Sequence, residues 1–431
     1  MSKKLWSFIA VVLMLSMLVT ACAPAAAPAT QAPAQPAATT APAQPAATTA
    51  PVATTAPAAG AFQIPDVEAG KFNVAMVLIG PHDDGGWSQS HYEGLKYLEQ
   101  NMPDAHVAYV ENVPEGTESE QVIRSLARKG FELIYTTSFG FMDPTMTVAE
   151  EFPDQTFIHI SGYKSNSKNF GNLFGAMENM KYLAGMIAGS RAKQDGNPKV
   201  GYMATFPIPE ELRLGNAFAL GMAKTCPECK MDVRWINTWH DPVIEKEAAA
   251  SLFDAGVQVV FTGADTPAPA DVAMAKSKWG ITYDYEGSCK AERCLTAPYW
   301  NWGPVYTKIA QGVKDKTYQP GWDYFDADSG GLGLYGFMEG QQLTKGMEDL
   351  PPADIQLVKD TLAQMLAGKF TRFDVFAGEI KDNAGNVVVP AGEKMQQSDL
   401  DQFPPGAEGL ACKYCMYWWN QNVAAELPKL Q

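Results

Sequence analysis

The chain has 431 residues, is 46% hydrophobic and carries a formal charge of −15. An acidic balance of this size argues against nucleic acid and anionic lipid as partners, because both require basic patches. It leaves small ligands open, and the length beyond residue 62 suits two domains better than one ordinary core.

The first residues read as a leader rather than as fold. Lys3 and Lys4 precede the apolar run LWSFIAVVLMLSMLV, which ends in Val19-Thr20-Ala21-Cys22. A charged start, a short apolar core and small residues before a cleavage point make residues 1–21 a secretory signal. Cysteine straight after that point is similar to a bacterial lipobox, which makes Cys22 the expected lipidated first residue of the mature chain. The apolar run is short for a membrane span, which needs about 20 residues. Residues 22–61 are Ala, Pro, Thr and Gln almost throughout, and APAQPAATT occurs in tandem at 32–40 and 41–49. So little apolar bulk cannot offset the entropy of ordering, so a disordered, proline-extended tether is expected here.

From Phe72 the pattern alternates. NVAMVLIG reads as a buried strand, SQSHYEGLKYLEQNM as an amphipathic helix with a serine cap, HVAYVENV as a strand and SEQVIRSLARKG as a helix ending at Gly130. FELIYTTS and TFIHISG continue as strands on either side of DPTMTVAEEFP. The alternation restarts with KVGYMATF, PEELRLGNAFALGMAK, MDVRWINTW, VIEKEAAASLFDAG and VQVVFTGA. Strands and helices in this order imply parallel sheets covered on both faces, hence two α/β lobes. The boundaries expected are 62–164 with 295–330 for lobe I, and 165–294 with 331–431 for lobe II. Asp382-Asn383-Ala384-Gly385, between two β-prone runs, is a hairpin signal. Trp418 and Trp419 read as packing for a terminal helix.

In open α/β sheets ligands bind beyond the carboxyl ends of the strands. Trp87, Phe139, Phe206, Trp239, Asp265 and Asp284 all fall just after predicted strands and so form a candidate rim. Asp241 before Pro242 reads as a helix cap. Six cysteines follow Cys22, as Cys226-x2-Cys229, Cys289-x4-Cys294 and Cys412-x2-Cys415. Paired CxxC motifs could supply zinc thiolates, but an exported chain with an even cysteine count favours disulfides. Local pairs are expected, although spacing alone leaves the connectivity open. None of the five histidines is spaced as part of a metal cluster, so no metal site and no cofactor are expected.

Several motifs in order carry a family resemblance. They are Asp83-Asp84-Gly85-Gly86-Trp87-Ser88-Gln89-Ser90-His91-Tyr92-Glu93-Gly94, Ser138-Phe139-Gly140-Phe141-Met142-Asp143, FGAMENMKYLAG over 174–185, Thr238-Trp239-His240-Asp241-Pro242, and FAGEIKDNAGNVVVPAG over 376–392. Together they resemble the basic membrane protein (PnrA-like) lipoproteins, substrate-binding components of ABC transporters for nucleosides or related purines. The resemblance implies a type I periplasmic-binding-protein-like fold with a ligand cleft between lobes. It also implies permease and ATPase partners, a monomeric binding protein, and an extracytoplasmic place at the membrane held only by the lipid on Cys22.

The family's stacking phenylalanines are replaced by Trp87 and Trp239, and the asparagine after the first by Ser88. In Thr296-Ala297-Pro298-Tyr299-Trp300-Asn301-Trp302, Trp300 stands where nucleoside-binding members carry a lysine. Polar sugar contacts exchanged for flat aromatic surface point to a ligand that is mostly ring, such as adenine. Trp87 and Trp239 are the expected sandwich, with Ser88, Phe139 and Trp300 beside it. Asp143 is the first choice for the base edge, followed by Asp83, Asp84, Asp265 and Asp284. The glycines before Trp87 are expected to let backbone approach the ligand. Two alternatives are an exported nucleoside-processing hydrolase, for which no G-x-S-x-G or H-E-x-x-H motif is present, and a ligand-sensing lipoprotein.

Overall fold

The computed structural model describes residues 62–401 and 412–427. The expected leader, the lipidation site at Cys22 and the Ala/Pro/Thr tether lie outside the described residues. The chain begins with β1 (Phe72–Val77), α1 (Trp87–Asn101), β2 (Ala105–Val110), α2 (Thr117–Lys129), β3 (Leu133–Thr136), α3 (Met142–Glu151), β4 (Thr156–Ile160) and β5 (Phe170–Gly175). It continues through α4 (Met177–Gln194), β6 (Lys199–Ala204), α5 (Pro209–Thr225), β7 (Lys230–Trp235), α6 (Pro242–Asp254), β8 (Val259–Thr262), α7 (Ala268–Lys276) and β9 (Trp279–Ile281). Then come β10 (Pro298–Trp300), α8 (Trp302–Lys314), β11 (Trp322–Phe325), β12 (Leu332–Leu334), α9 (Pro352–Leu366), β13 (Ile380–Lys381) and β14 (Val387–Val389).

Two parallel sheets result. One has the order β11-β5-β4-β3-β1-β2, the other β7-β6-β8-β9. β1 is FNVAMV and is buried at every position, as a strand covered by helices on both faces must be. The expected first boundary shifts, because β5 lies beyond residue 164 and yet pairs in parallel with β4. β11 pairs with β5 in the same sheet, so the chain returns to the first lobe there. It passes between lobes three times: from β5 through α4 into β6, from β9 to α8, and after β11 toward β12 and α9.

α4 is buried on nearly all sides and lacks the apolar stripe of a surface helix. It lies hard against α5. A Cβ at Gly221 would sit 1.8 Å from the Tyr182 carbonyl oxygen, so only glycine permits that backbone contact. Under this layer is a buried charge group in which Arg213 Nε lies 3.4 Å from Glu178 Oε2 and the same guanidinium pairs with Asp401.

α1 starts one residue ahead of the expected serine cap. Asp84 does the capping instead, its carboxylate accepting from the backbone N–H of Gly86 (2.8 Å), Ser88 (2.9 Å) and Gln89 (3.0 Å). The Asp382–Gly385 turn does join β13 and β14 as an antiparallel hairpin. Residues 412–427 carry no helix; Trp419 is buried and packs near Trp235 rather than on a terminal helix. All three local disulfides are formed, Cys226–Cys229, Cys289–Cys294 and Cys412–Cys415.

Candidate ligand-binding cleft

Loops leaving the carboxyl ends of β1, β3 and β4 in one lobe, and of β6, β7, β8 and β9 in the other, border one narrow cavity. This is where open α/β sheets place ligands. The first lobe contributes Ile79, Trp87, Ser138, Phe139 and Ser161. The second contributes Glu210, Glu211, Trp239, Gly263, Asp265, Tyr283 and Asp284. Ser161 and Asp284 adopt φ of 75° and 66°, a left-handed backbone that costs non-glycine residues energy and is concentrated at binding sites.

Trp87 opens α1 and is fixed by an aromatic cluster of its own lobe. Its Nε1 donates to the Thr137 carbonyl at 2.6 Å, and its ring meets His91, Trp300 and Trp302 edge-on. Trp239 follows β7 and touches Phe206, with centroids 5.0 Å apart. Both indoles are half-buried, and they face one cavity from opposite lobes. The glycine ahead of Trp87 serves a purpose other than the expected approach to ligand. A Cβ on Gly86 would fall 1.8 Å from the Asp265 carbonyl oxygen, so this glycine lets the second lobe's backbone close onto the first.

The wall is acidic, and no Lys or Arg is among the lining residues. Burial pushes the Asp284 carboxyl well above the usual carboxylate range, against the pull of Lys181 and a 2.7 Å hydrogen bond from Trp300 Nε1. Asp265 is raised in the same way by burial, and Asp284 and Asp84 beside it add to the effect. Burial lifts Glu210 to about 8, opposed by Arg213. Glu211 is raised by burial although it accepts hydrogen bonds from the Tyr202 hydroxyl (2.6 Å) and the Thr205 N–H (2.8 Å). Behind this wall Lys181 is 0% exposed and donates to the Thr262 carbonyl at 2.6 Å. Its Nζ lies 3.2 Å from the Tyr283 ring centroid, and burial lowers its pKa to about 7.

A model described as "ABC transporter substrate-binding protein PnrA-like" matches residues 71–361. The chain belongs to that family. It is 33% identical to a purine-binding protein of Brucella abortus (strain 2308), over 77% of this chain and 90% of that protein. It is 30% identical to a Haloferax volcanii protein named for glucose binding, over 78% and 80% respectively. Among solved structures, a solute-binding protein from Aeropyrum pernix K1 superposes with a TM-score of 0.59 at 17% identity, covering 77% of this chain and 96% of that one. One from Conexibacter woesei gives 0.55 at 22%, covering 69% and 97%. These two neighbours establish the two-lobed α/β fold alone.

PnrA-like proteins are extracytoplasmic, bind small ligands and work with permease and ATPase subunits. Among the described residues no helix is long and apolar enough to cross a membrane. In this PnrA-like chain Trp87, Phe139, Trp239, Asp265 and Asp284 come together on the cavity wall, while Phe141, two residues after Phe139, is buried in the core. Asp143 does not reach it; its side chain is 66% exposed and pairs with Lys164 on the surface. Asp83 is also exposed. Ser88 is buried, where its Oγ accepts from the Gly80 N–H at 3.0 Å. Trp300 stacks on Trp302 and holds Asp284, one layer behind the wall. Missed from the sequence were Glu210, Glu211, Tyr283 and Lys181. Pro-Glu-Glu straight after a predicted strand was the available signal for the first two.

Proposed function

We propose that the cleft binds a free purine base with an exocyclic amine, adenine being the simplest, and presents it to an ABC permease as a closed two-lobed complex. What carries the proposal is the pairing of Trp87 and Trp239 across a narrow cavity whose remaining wall is carboxyl-rich. Stacking on an aromatic face contributes about 1–3 kcal/mol per base, whereas micromolar affinity needs about 8 kcal/mol. The base edge must supply the rest. A carboxyl kept neutral by burial offers an O–H donor beside a C=O acceptor, which is the complement of an aminopurine's ring nitrogen and amine. Asp284 and Glu210 take this role, with Asp265 on the same edge and Phe139 closing the slot. No lining lysine or arginine is there to pair with a phosphate, so a nucleotide would bury its charge without compensation. The chain acts as a monomer, anchored through lipid on Cys22.

Calorimetric titration with adenine, guanine, hypoxanthine, adenosine, inosine and glucose tests the proposal. Adenine is expected to bind at least tenfold more tightly than its nucleoside and than glucose, with no base released from adenosine. A nucleoside or glucose that outcompetes every free base would reject it.

A further inference from the structure

Three side chains that are far apart in sequence meet where the two lobes touch. Asp84 lies before α1 in the first lobe, while His240 follows β7 and Asp265 follows β8 in the second. One donor atom from each lies within 4.8 Å of the other two. Asp265 is 4% exposed, and its Oδ2 is buried with no hydrogen-bond partner; His240 Nδ1 is buried and unpartnered as well. A buried polar atom left unpaired is costly, because it has lost water without gaining a partner. Two of them beside an anchored carboxylate make a donor set for a cation.

We propose that Asp84, His240 and Asp265 bind a divalent transition-metal ion of the zinc class, at a site assembled only when the lobes close. Two carboxylate oxygens and one imidazole nitrogen suit such an ion, with water completing the coordination. Ligand atoms around a tetrahedral zinc ion lie about 3.3 Å apart, so the trio contracts by at most about 1.5 Å to take it. The supports resemble an outer coordination shell. Three backbone N–H groups orient Asp84, and the Asp265 N–H donates to the Trp239 carbonyl at 3.1 Å, tying the two second-lobe loops together. Such partners commonly hold ligands in place. The contact of Gly86 with the Asp265 backbone brings the first-lobe carboxylate to the other two. The ion and the cleft ligand therefore favour the same closed arrangement, and each tightens the other by an equal factor.

The proposal does not depend on the identity of the cleft ligand, and its test uses none. The full-length chain is stripped with EDTA and titrated with Zn²⁺ by calorimetry, with the visible spectrum of Co²⁺ as a second reading. One saturable equivalent is expected in the wild type. His240→Ala weakens it at least about tenfold and His240→Cys preserves it, cysteine being a zinc ligand too. Gly86→Ala, whose methyl holds the lobes apart, weakens it to a similar degree. Melting curves in EDTA establish that the variants fold; if His240→Ala does not, Asp265→Asn takes its place with the same expected loss. No saturable binding by the wild type overturns the proposal, as does unchanged affinity in His240→Ala. Unchanged affinity in Gly86→Ala overturns its dependence on closure.

Discussion

Trp239 is the residue whose removal speaks most directly to the cleft. Its half-buried ring contacts Phe206 and borders the cavity, so Trp239→Ala should cost binding with little loss of fold. The expected loss is about 1–3 kcal/mol, or roughly 5- to 150-fold in the adenine dissociation constant, read by calorimetry. Asp143→Ala is the control, because a surface pair with Lys164 contributes at most about 1 kcal/mol of stability and touches no part of the cavity. Glu210 supplies a pH test. Its folded pKa is raised from 4.5 to about 8, so its stabilising contribution is complete below pH 4.5 and is lost as pH rises through about 8. Glu210→Gln, neutral throughout, should flatten the fall in melting temperature over that range, one proton accounting for at most about 1.4 kcal/mol per pH unit. Lys181, lowered to about 7, acts in the opposite sense and is common to both proteins. The aromatic half of the wall was legible because a large ring just after a strand has few uses in a turn. The acidic half was not: Glu210 and Glu211 look like ordinary first-turn helix acids, and a lysine is rarely fully buried. Asp143 misled for a related reason, since its place in a motif says nothing about which face of α3 it occupies.

At the level of elements, the start of α1 governs closure. Gly86→Ala should leave the ligand-free chain as stable as wild type, because the offending atom, Asp265 O, belongs to the other lobe. Adenine should then bind at least tenfold more weakly, and small-angle scattering should record no contraction on its addition; contraction equal to wild type would contradict this account. β1 to β4 and β6 to β8 were readable as apolar runs between turn signals. β5, FGNLFG, has two glycines and was absorbed into a motif, which is why the lobe boundary was placed too early. β9, β10 and β12 have three residues each, too few for any periodicity to register. α4 gave no amphipathic signal because it is buried all round, and the short-range cap at Asp84 replaced the serine that the helical pattern suggested.

For the whole molecule, the cleft and the candidate cation site share one requirement, which is that two sheets move as bodies. Residues on both sides are held stiffly: the Trp87 cluster in one lobe, and the stacked Tyr202, Phe261 and Phe218 rings in the other. A ligand that touches both lobes then shifts the population toward closure by its differential affinity for that state. The paired lobes were foreseeable from the restart of the strand–helix alternation, and a return to lobe I over 295–330 was expected, but β11 itself was not read as a strand, since WDYF is a half-exposed edge strand without an apolar run. That return has a mechanical consequence. With three straps joining the halves, bending is confined to one shared axis, because twisting about any other would stretch at least one strap. A protease nick in a single strap would leave the halves still yoked by the remaining two.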